Sequence, residues 1–173
     1  FGLSFGFGFY LSGISWITNS LTFDENFKIL IPFALILIPL FLSLFLGLTT
    51  LVIGPYLKLD FSSVLIFSAG IALSDYLRAY VLTGFPWNLW AYSTSTLSEI
   101  LQIVNLVGLY SYNLLVITLF ALPTIYFFKI SKVKKLLTIF ITMMFILSLY
   151  IYGNYEINKN KKTLQNEKEK IYA

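Results

Sequence analysis

The chain has 173 residues, 58% of them hydrophobic and only 12% charged, with a formal net charge of +4. Charged residues make up roughly a quarter of an ordinary soluble domain, so this composition excludes a soluble enzyme, and the low charge excludes a disordered chain. Cysteine and histidine are both absent, which excludes disulfides, Cys or His metal sites, and Ser-His-Asp or Cys-His catalysis.

The positive charge comes mainly from short lysine runs near the C-terminus and not from a basic face, which argues against a nucleic-acid partner. Nothing in the composition calls for a cofactor. The chain opens on Phe1, inside an apolar stretch with no basic segment ahead of it. That is not the start of a signal peptide, and it reads as a piece of a longer protein.

A helix needs roughly 20 apolar residues to cross a hydrocarbon core of about 30 Å. Five stretches qualify, at about 1–21, 29–53, 62–82, 100–128 and 133–152. Each is expected to be helical, because an open strand leaves its backbone unsatisfied in lipid. The expected fold is therefore all-α, a polytopic transmembrane helical bundle of about five spans over residues 1–152. Residues 153–173, with five Lys and three Glu, read as a polar tail or a linker leading to a further domain.

In the first span Gly2, Gly6 and Gly13 share a helical face, with Phe9 between them. The Gly2/Gly6 GxxxG pair permits close approach of a neighbouring helix. The alternative is that Gly8, Ser12 and Ser15 open a groove toward lipid. In the second span Pro32 suits a first helical turn, whereas Pro39 removes an interior hydrogen bond and is expected to kink the helix.

The third span ends in Asp75-Tyr76-Leu77-Arg78. Asp75 and Arg78 lie three residues apart and so share a face. Charge inside a bilayer costs on the order of 3 kcal/mol on insertion scales. Two readings follow: a mutual structural ion pair, or an Arg78 that holds a lipid phosphate.

Next comes Thr83-Gly84-Phe85-Pro86-Trp87-Asn88-Leu89-Trp90-Ala91-Tyr92. Pro86 pushes Phe85 out of helical conformation. The aromatic residues suit either a membrane-interface belt or an interfacial loop, 83–97, that roofs a cavity. In the second reading the rings hold an acyl chain while Asn88 reaches headgroup atoms. Phe85, Trp87, Asn88 and Arg78 are the candidate substrate-binding residues.

The fourth span carries Glu99, Gln102, Asn105, Tyr110, Tyr112 and Asn113, a polar stripe suited to interhelical hydrogen bonds. No catalytic residue is expected in this chain, because no activated nucleophile stands near these carboxylates and amides. Lysine placement sets the orientation when the tail is set aside, because a tail that opens a large domain can translocate despite its charges; counted with the tail, the two faces nearly tie. With alternate crossings, the face holding Lys58, Lys129, Lys132, Lys134 and Lys135 is cytoplasmic, and the 153–173 tail lies on the opposite side.

Several segments together resemble a known family. They are Gly6-Phe7-Gly8-Phe9, Ser15-Trp16, Asp75-Tyr76-Leu77-Arg78, Leu82-Thr83-Gly84-Phe85-Pro86-Trp87-Asn88, Val107-Gly108 and Asn113. Their order and spacing resemble bacterial apolipoprotein N-acyltransferase, with TGFPWN the most specific piece. The resemblance implies a multi-pass enzyme of the bacterial inner membrane. Its donor is a phospholipid acyl chain and its acceptor is the α-amino group of the diacylglyceryl cysteine of lipoproteins.

It further implies a Glu-Lys-Cys triad in a periplasmic nitrilase-like domain after the helix that corresponds to 133–152, beyond Ala173. Two helices ahead of Phe1 and one after that domain are also implied. No residue here matches the triad, so this piece is expected to be inactive alone. Its expected role is to anchor the enzyme and shape the entry of lipid. The family usually has Glu where this chain has Asp75. The competing reading is an integral-membrane substrate-binding subunit of a transporter.

Overall fold

A computed structural model of the chain describes residues 1–81 and 84–171, with side chains of the last helix described as far as Thr163. Leu82 and Thr83, which end the third expected span and open both the aromatic loop and the TGFPWN motif, lie outside the described residues. So do Tyr172 and Ala173 of the expected tail.

Among the described residues all regular structure is helical. The α-helices are α1 (Gly2–Ile14), α2 (Ile31–Ile53), α3 (Phe61–Tyr80), α4 (Ser98–Leu101), α5 (Val104–Val107), α6 (Leu109–Ala121) and α7 (Lys132–Ile171). Turns of 3-10 helix occupy Ser15–Thr22, Glu25–Leu30, Gly54–Tyr56, Trp90–Thr94 and Leu122–Phe127. Three helical stretches among the described residues are long and apolar enough to cross a membrane: Glu25–Tyr56, Leu109–Phe127 and Lys132–Thr163. The chain forms two compact units, Phe1–Leu89 and Trp90–Ala173.

In the first unit, α1 buries Gly2, Gly6, Tyr10 and Ile14, one residue per turn on a single face. This face packs antiparallel on α2. A side chain at Gly2 would run into Thr50, and one at Gly6 would stand 3.1 Å from the Ser43 Cα. The GxxxG pair thus sits in the contact between the two helices, whereas Gly8 faces open space. Pro32 lies in the first turn of α2, and the helix continues through buried Pro39 to Ile53.

α3 turns most of its polar side chains inward, beside Val64 and Ile71, and its leucines outward. Its buried residues include Ser63, Ser68, Ser74, Asp75 and Arg78, while Leu65, Ile66, Phe67, Leu73 and Leu77 are exposed. Exposed leucines along a helix whose serines and charges point inward suit a lipid surround, where apolar side chains lose nothing by facing outward. At 20 residues α3 has the length of a span, but these inward polar groups keep it out of the most apolar class.

The second unit departs from sequence expectation in two places. The stretch 100–128 is not one helix. It breaks at Gly108, whose φ of 77° and ψ of 165° fall in a region open almost only to glycine. The polar stripe is divided there: Tyr112 and Asn113 are buried in α6, while Asn105 on α5 is exposed. Conversely, the polar tail does not begin a new structure at residue 153. α7 runs unbroken to Ile171, because Lys, Glu and Gln sustain a helix well and no proline interrupts them.

Candidate functional site

The buried end of α3 organises a site within the first unit. The helix closes at Leu77, whose carbonyl accepts from the Val81 N–H. The chain then reverses over the helix end. Gly84 N–H donates to Val81 O at 3.1 Å, and Phe85 N–H donates to Arg78 O at 2.9 Å. Gly84 has φ 76°, and a Cβ there would strike the Ala79 carbonyl. Pro86 holds Phe85 out of helical conformation, and Asn88 takes φ 62°, a left-handed conformation that asparagine accepts more readily than most residues.

Arg78 joins the parts. Its side chain is 0% exposed. Nη2 donates to Asp75 Oδ1 at 3.0 Å, and Nη1 donates to Phe85 O at 2.6 Å and Trp87 O at 2.7 Å. The planar guanidinium thus fastens two loop carbonyls and one carboxylate at once, which a lysine ammonium does not match in geometry. Its carbon centre stands 5.2 Å from the Tyr10 ring of α1 and 5.9 Å from the Phe85 ring, both within the range of cation–π attraction. Arg78 Nε and Asn88 Nδ2 are buried without a protein partner.

The loop's outer surface is aromatic. The Trp87 and Trp16 rings meet edge to face with centroids 6.0 Å apart, and both are about half exposed. Trp16 donates its indole N–H to Gly13 O at 3.1 Å. Gly13 has no side chain where the Asn88 amide sits, and a Cβ there would collide with it.

All four candidate substrate-binding residues therefore meet around one loop, but in different settings. Trp87 faces outward, Phe85 and Asn88 are half-buried, and Arg78 is fully enclosed. Sequence reasoning missed Tyr10, which caps Arg78 and is fully buried. The available signal was its place four residues after Gly6, on the packing face. Gly13 was grouped with the helix-packing glycines, whereas its neighbour here is Asn88.

In the second unit, Asn113 Oδ1 accepts the Ala91 N–H at 2.9 Å, and the Tyr112 hydroxyl lies 2.6 Å from Thr94 Oγ1. These contacts pin the 3-10 turn Trp90–Thr94 to α6. Among the described residues no group of three acidic, His or Cys side chains gathers to hold a metal.

Residues 1–122 match the family model for the apolipoprotein N-acyltransferase N-terminal domain. The chain belongs to the apolipoprotein N-acyltransferase family. It is 34% identical over 125 residues to the apolipoprotein N-acyltransferase of Brucella melitensis biotype 1, covering 72% of this chain and 24% of that protein. The enzyme of that name from Rhodopseudomonas palustris is 30% identical over 125 residues, 72% of this chain and 23% of that protein. The one from Rhizobium rhizogenes is 25% identical over 158 residues, 91% of this chain and 29% of that protein. The chain thus spans about a quarter of the length of the curated relatives it matches. No solved structure matches it. The site around Arg78 lies inside the segment matched to the apolipoprotein N-acyltransferase N-terminal domain.

Proposed function

We propose that this chain is the membrane-embedded part of an apolipoprotein N-acyltransferase, and that it anchors the enzyme and shapes the entry of lipid to a catalytic domain elsewhere in the parent protein. The transferred group is an acyl chain from a phospholipid, and the acceptor is the α-amino group of a diacylglyceryl cysteine. The observation that carries this reading is the Arg78-fastened loop that sets Trp87 against the Trp16 ring on the outer surface, within a segment matched to the family.

In this reading Trp87 and Phe85 contact acyl chain, and Asn88 holds its place over Gly13. Arg78 acts as the strut of the loop, a role supported by its enclosure and by the use of both terminal nitrogens on protein oxygens. The chain has no cysteine and no histidine. A stable acyl-enzyme needs an activated nucleophile, so the chemistry belongs to another part of the parent enzyme.

The location is the bacterial inner membrane, with residues 129–135 cytoplasmic and the polar end of α7 periplasmic. Two features of the second unit support this orientation. Lys129, Lys132, Lys134 and Lys135 cluster in and beside the first turn of α7, and positive charge in a short connection favours the cytoplasmic side, whereas the lysines of a stretch that opens a large domain translocate despite their charge. Gly153 lies against the Glu99 backbone, so residues 99 and 153 share the other end.

The test is reconstitution of the parent enzyme with labelled phospholipid and a diacylglyceryl peptide. Trp87→Ala is expected to lower turnover at limiting lipid by roughly 5- to 150-fold, the range that about 1–3 kcal/mol of lost apolar contact produces. The 173-residue chain alone is expected to bind lipid and yield no N-acyl product. Product from the chain alone, or unchanged turnover in Trp87→Ala, overturns the reading.

A further inference from the structure

The second unit carries a groove of about 480 Å³ along α7, a volume within the roughly 300–1,000 Å³ range of small-molecule sites. One wall is formed by Leu119 and Pro123, the other by Ile139, Met143 and Ile146 of α7. Thr138 and Thr142 also line it, but their hydroxyls donate to the carbonyls of Lys134 and Thr138 in the helix itself. The walls therefore present hydrocarbon.

One end of the groove is basic. Lys135 lies on its lining, and Lys129, Lys132 and Lys134 are close in sequence. The Lys135 ammonium is fixed in place: Nζ donates to Tyr126 O at 2.5 Å and stands 5.3 Å from the Tyr126 ring centroid. An ammonium has three donors, and one of them goes to Tyr126.

Length identifies the occupant. From Lys135 to Ile146 the groove follows α7 for about 16 Å at 1.5 Å per residue. That is close to half of a hydrocarbon core about 30 Å thick, the depth of one leaflet. An apolar groove one leaflet deep, with a fixed ammonium at its mouth, complements one lipid chain under an anionic headgroup.

We propose that this groove binds an anionic phospholipid of the leaflet facing residues 129–135, with its phosphate on Lys135 and an acyl chain along Ile139, Met143 and Ile146. The proposal rests on the reading of α7 as a membrane span. It concerns a resident lipid held by the second unit and does not involve the Arg78 loop.

The test uses the purified 173-residue chain in mixed vesicles of phosphatidylcholine and phosphatidylglycerol, with flotation to score insertion. After extraction in mild detergent, native mass spectrometry scores the retained lipid. Retention of phosphatidylglycerol is expected to exceed that of phosphatidylcholine by about fivefold, the ratio that one basic residue beside an anionic surface supplies. Lys135→Gln is expected to remove that preference. Ile139→Trp, which fills the groove and keeps the lysine, is expected to lower retention of both lipids.

Free glycerol phosphate is expected not to displace the lipid; full displacement would show a headgroup site without the groove and overturn the proposal. Insertion with equal retention of the two lipids, or an unchanged preference in helical Lys135→Gln, overturns this proposal alone. Failure of the chain to float with vesicles overturns it together with the membrane reading.

Discussion

Arg78 is a buried cation with three protein oxygens around its terminal nitrogens, and the cost of disturbing it follows from that arrangement. Arg78→Gln leaves the Asp75 carboxylate buried without its cation, and Asp75→Asn leaves the guanidinium with carbonyls alone. Removing one partner of a buried pair typically costs about 3–5 kcal/mol. The double variant Asp75→Asn with Arg78→Gln is expected to be less destabilised than the sum of the two single variants, with a coupling of roughly 1–3 kcal/mol. Thermal unfolding in detergent checks this. Additive losses would show that the carboxylate contributes nothing to holding the cation. Nearby, Gly84 has no tolerance for a side chain. Its φ of 76° and the Ala79 carbonyl over its α-carbon predict that Gly84→Ala loses roughly 1–2 kcal/mol from the backbone conformation alone, with Trp16 and Trp87 fluorescence reporting a displaced loop.

At the scale of the element, the start of α3 is set by Asp60. Its carboxylate accepts the Ser63 N–H at 2.9 Å and the Ser63 hydroxyl at 2.8 Å, and the same hydroxyl oxygen accepts the Lys58 N–H at 2.6 Å. An N-cap of this kind satisfies a backbone donor that the helix cannot satisfy itself. The bond from the Ser63 hydroxyl, followed by that from its backbone N–H, holds the Asp60 carboxyl below its ordinary value of 3.8. The folded value therefore lies below the unfolded one. The stabilisation is complete above the unfolded value and is lost as pH falls through the folded value. Asp60→Asn, which keeps a capping oxygen, is expected to abolish this acid-side loss while leaving neutral stability nearly unchanged. Thermal midpoints between pH 3 and pH 6, compared with the parent chain, measure it. An identical acid-side profile in the two proteins would remove Asp60 as its origin. The interior of α3 follows another rule: its serine and charged face turns inward and its leucines turn out, so a Leu73→Ser change is a change toward lipid, not toward the protein core.

For the molecule as a whole, membrane topology can be read chemically because the chain has no cysteine. Ser131 and Ser95 are both exposed. In intact cells, Ser131→Cys is expected to be shielded from an impermeant thiol reagent and Ser95→Cys to react; the reverse pattern overturns the orientation. The helical class and the meeting of Asp75 with Arg78 were legible in the sequence, because apolar run length and three-residue spacing are local properties. The partners brought from a distance were not. Tyr10 reaches Arg78 across 68 positions, and nothing in an apolar run distinguishes a capping tyrosine from an interfacial one. The break at Gly108 was hidden because glycine is common in spans, and only its backbone angles show that no other residue fits. The continuation of α7 was obscured by a change of composition that alters the solvent a helix prefers without altering its geometry.

That continuation has a mechanical consequence. α7 is 40 residues long, about 60 Å at 1.5 Å per residue, or twice a hydrocarbon core of about 30 Å. It is held at two stations, one through a side chain and one through its backbone: Lys135 is tied to Tyr126, and Gly153 lies flush against the backbone of Glu99. The 18 intervals between those residues amount to about 27 Å of rise. The section between them is in effect a fixed-length gauge: a bilayer thicker than it must thin locally, and a thinner one tilts it. The rod beyond the second clamp would transmit any such tilt as a swing of its polar end, roughly in proportion to its length.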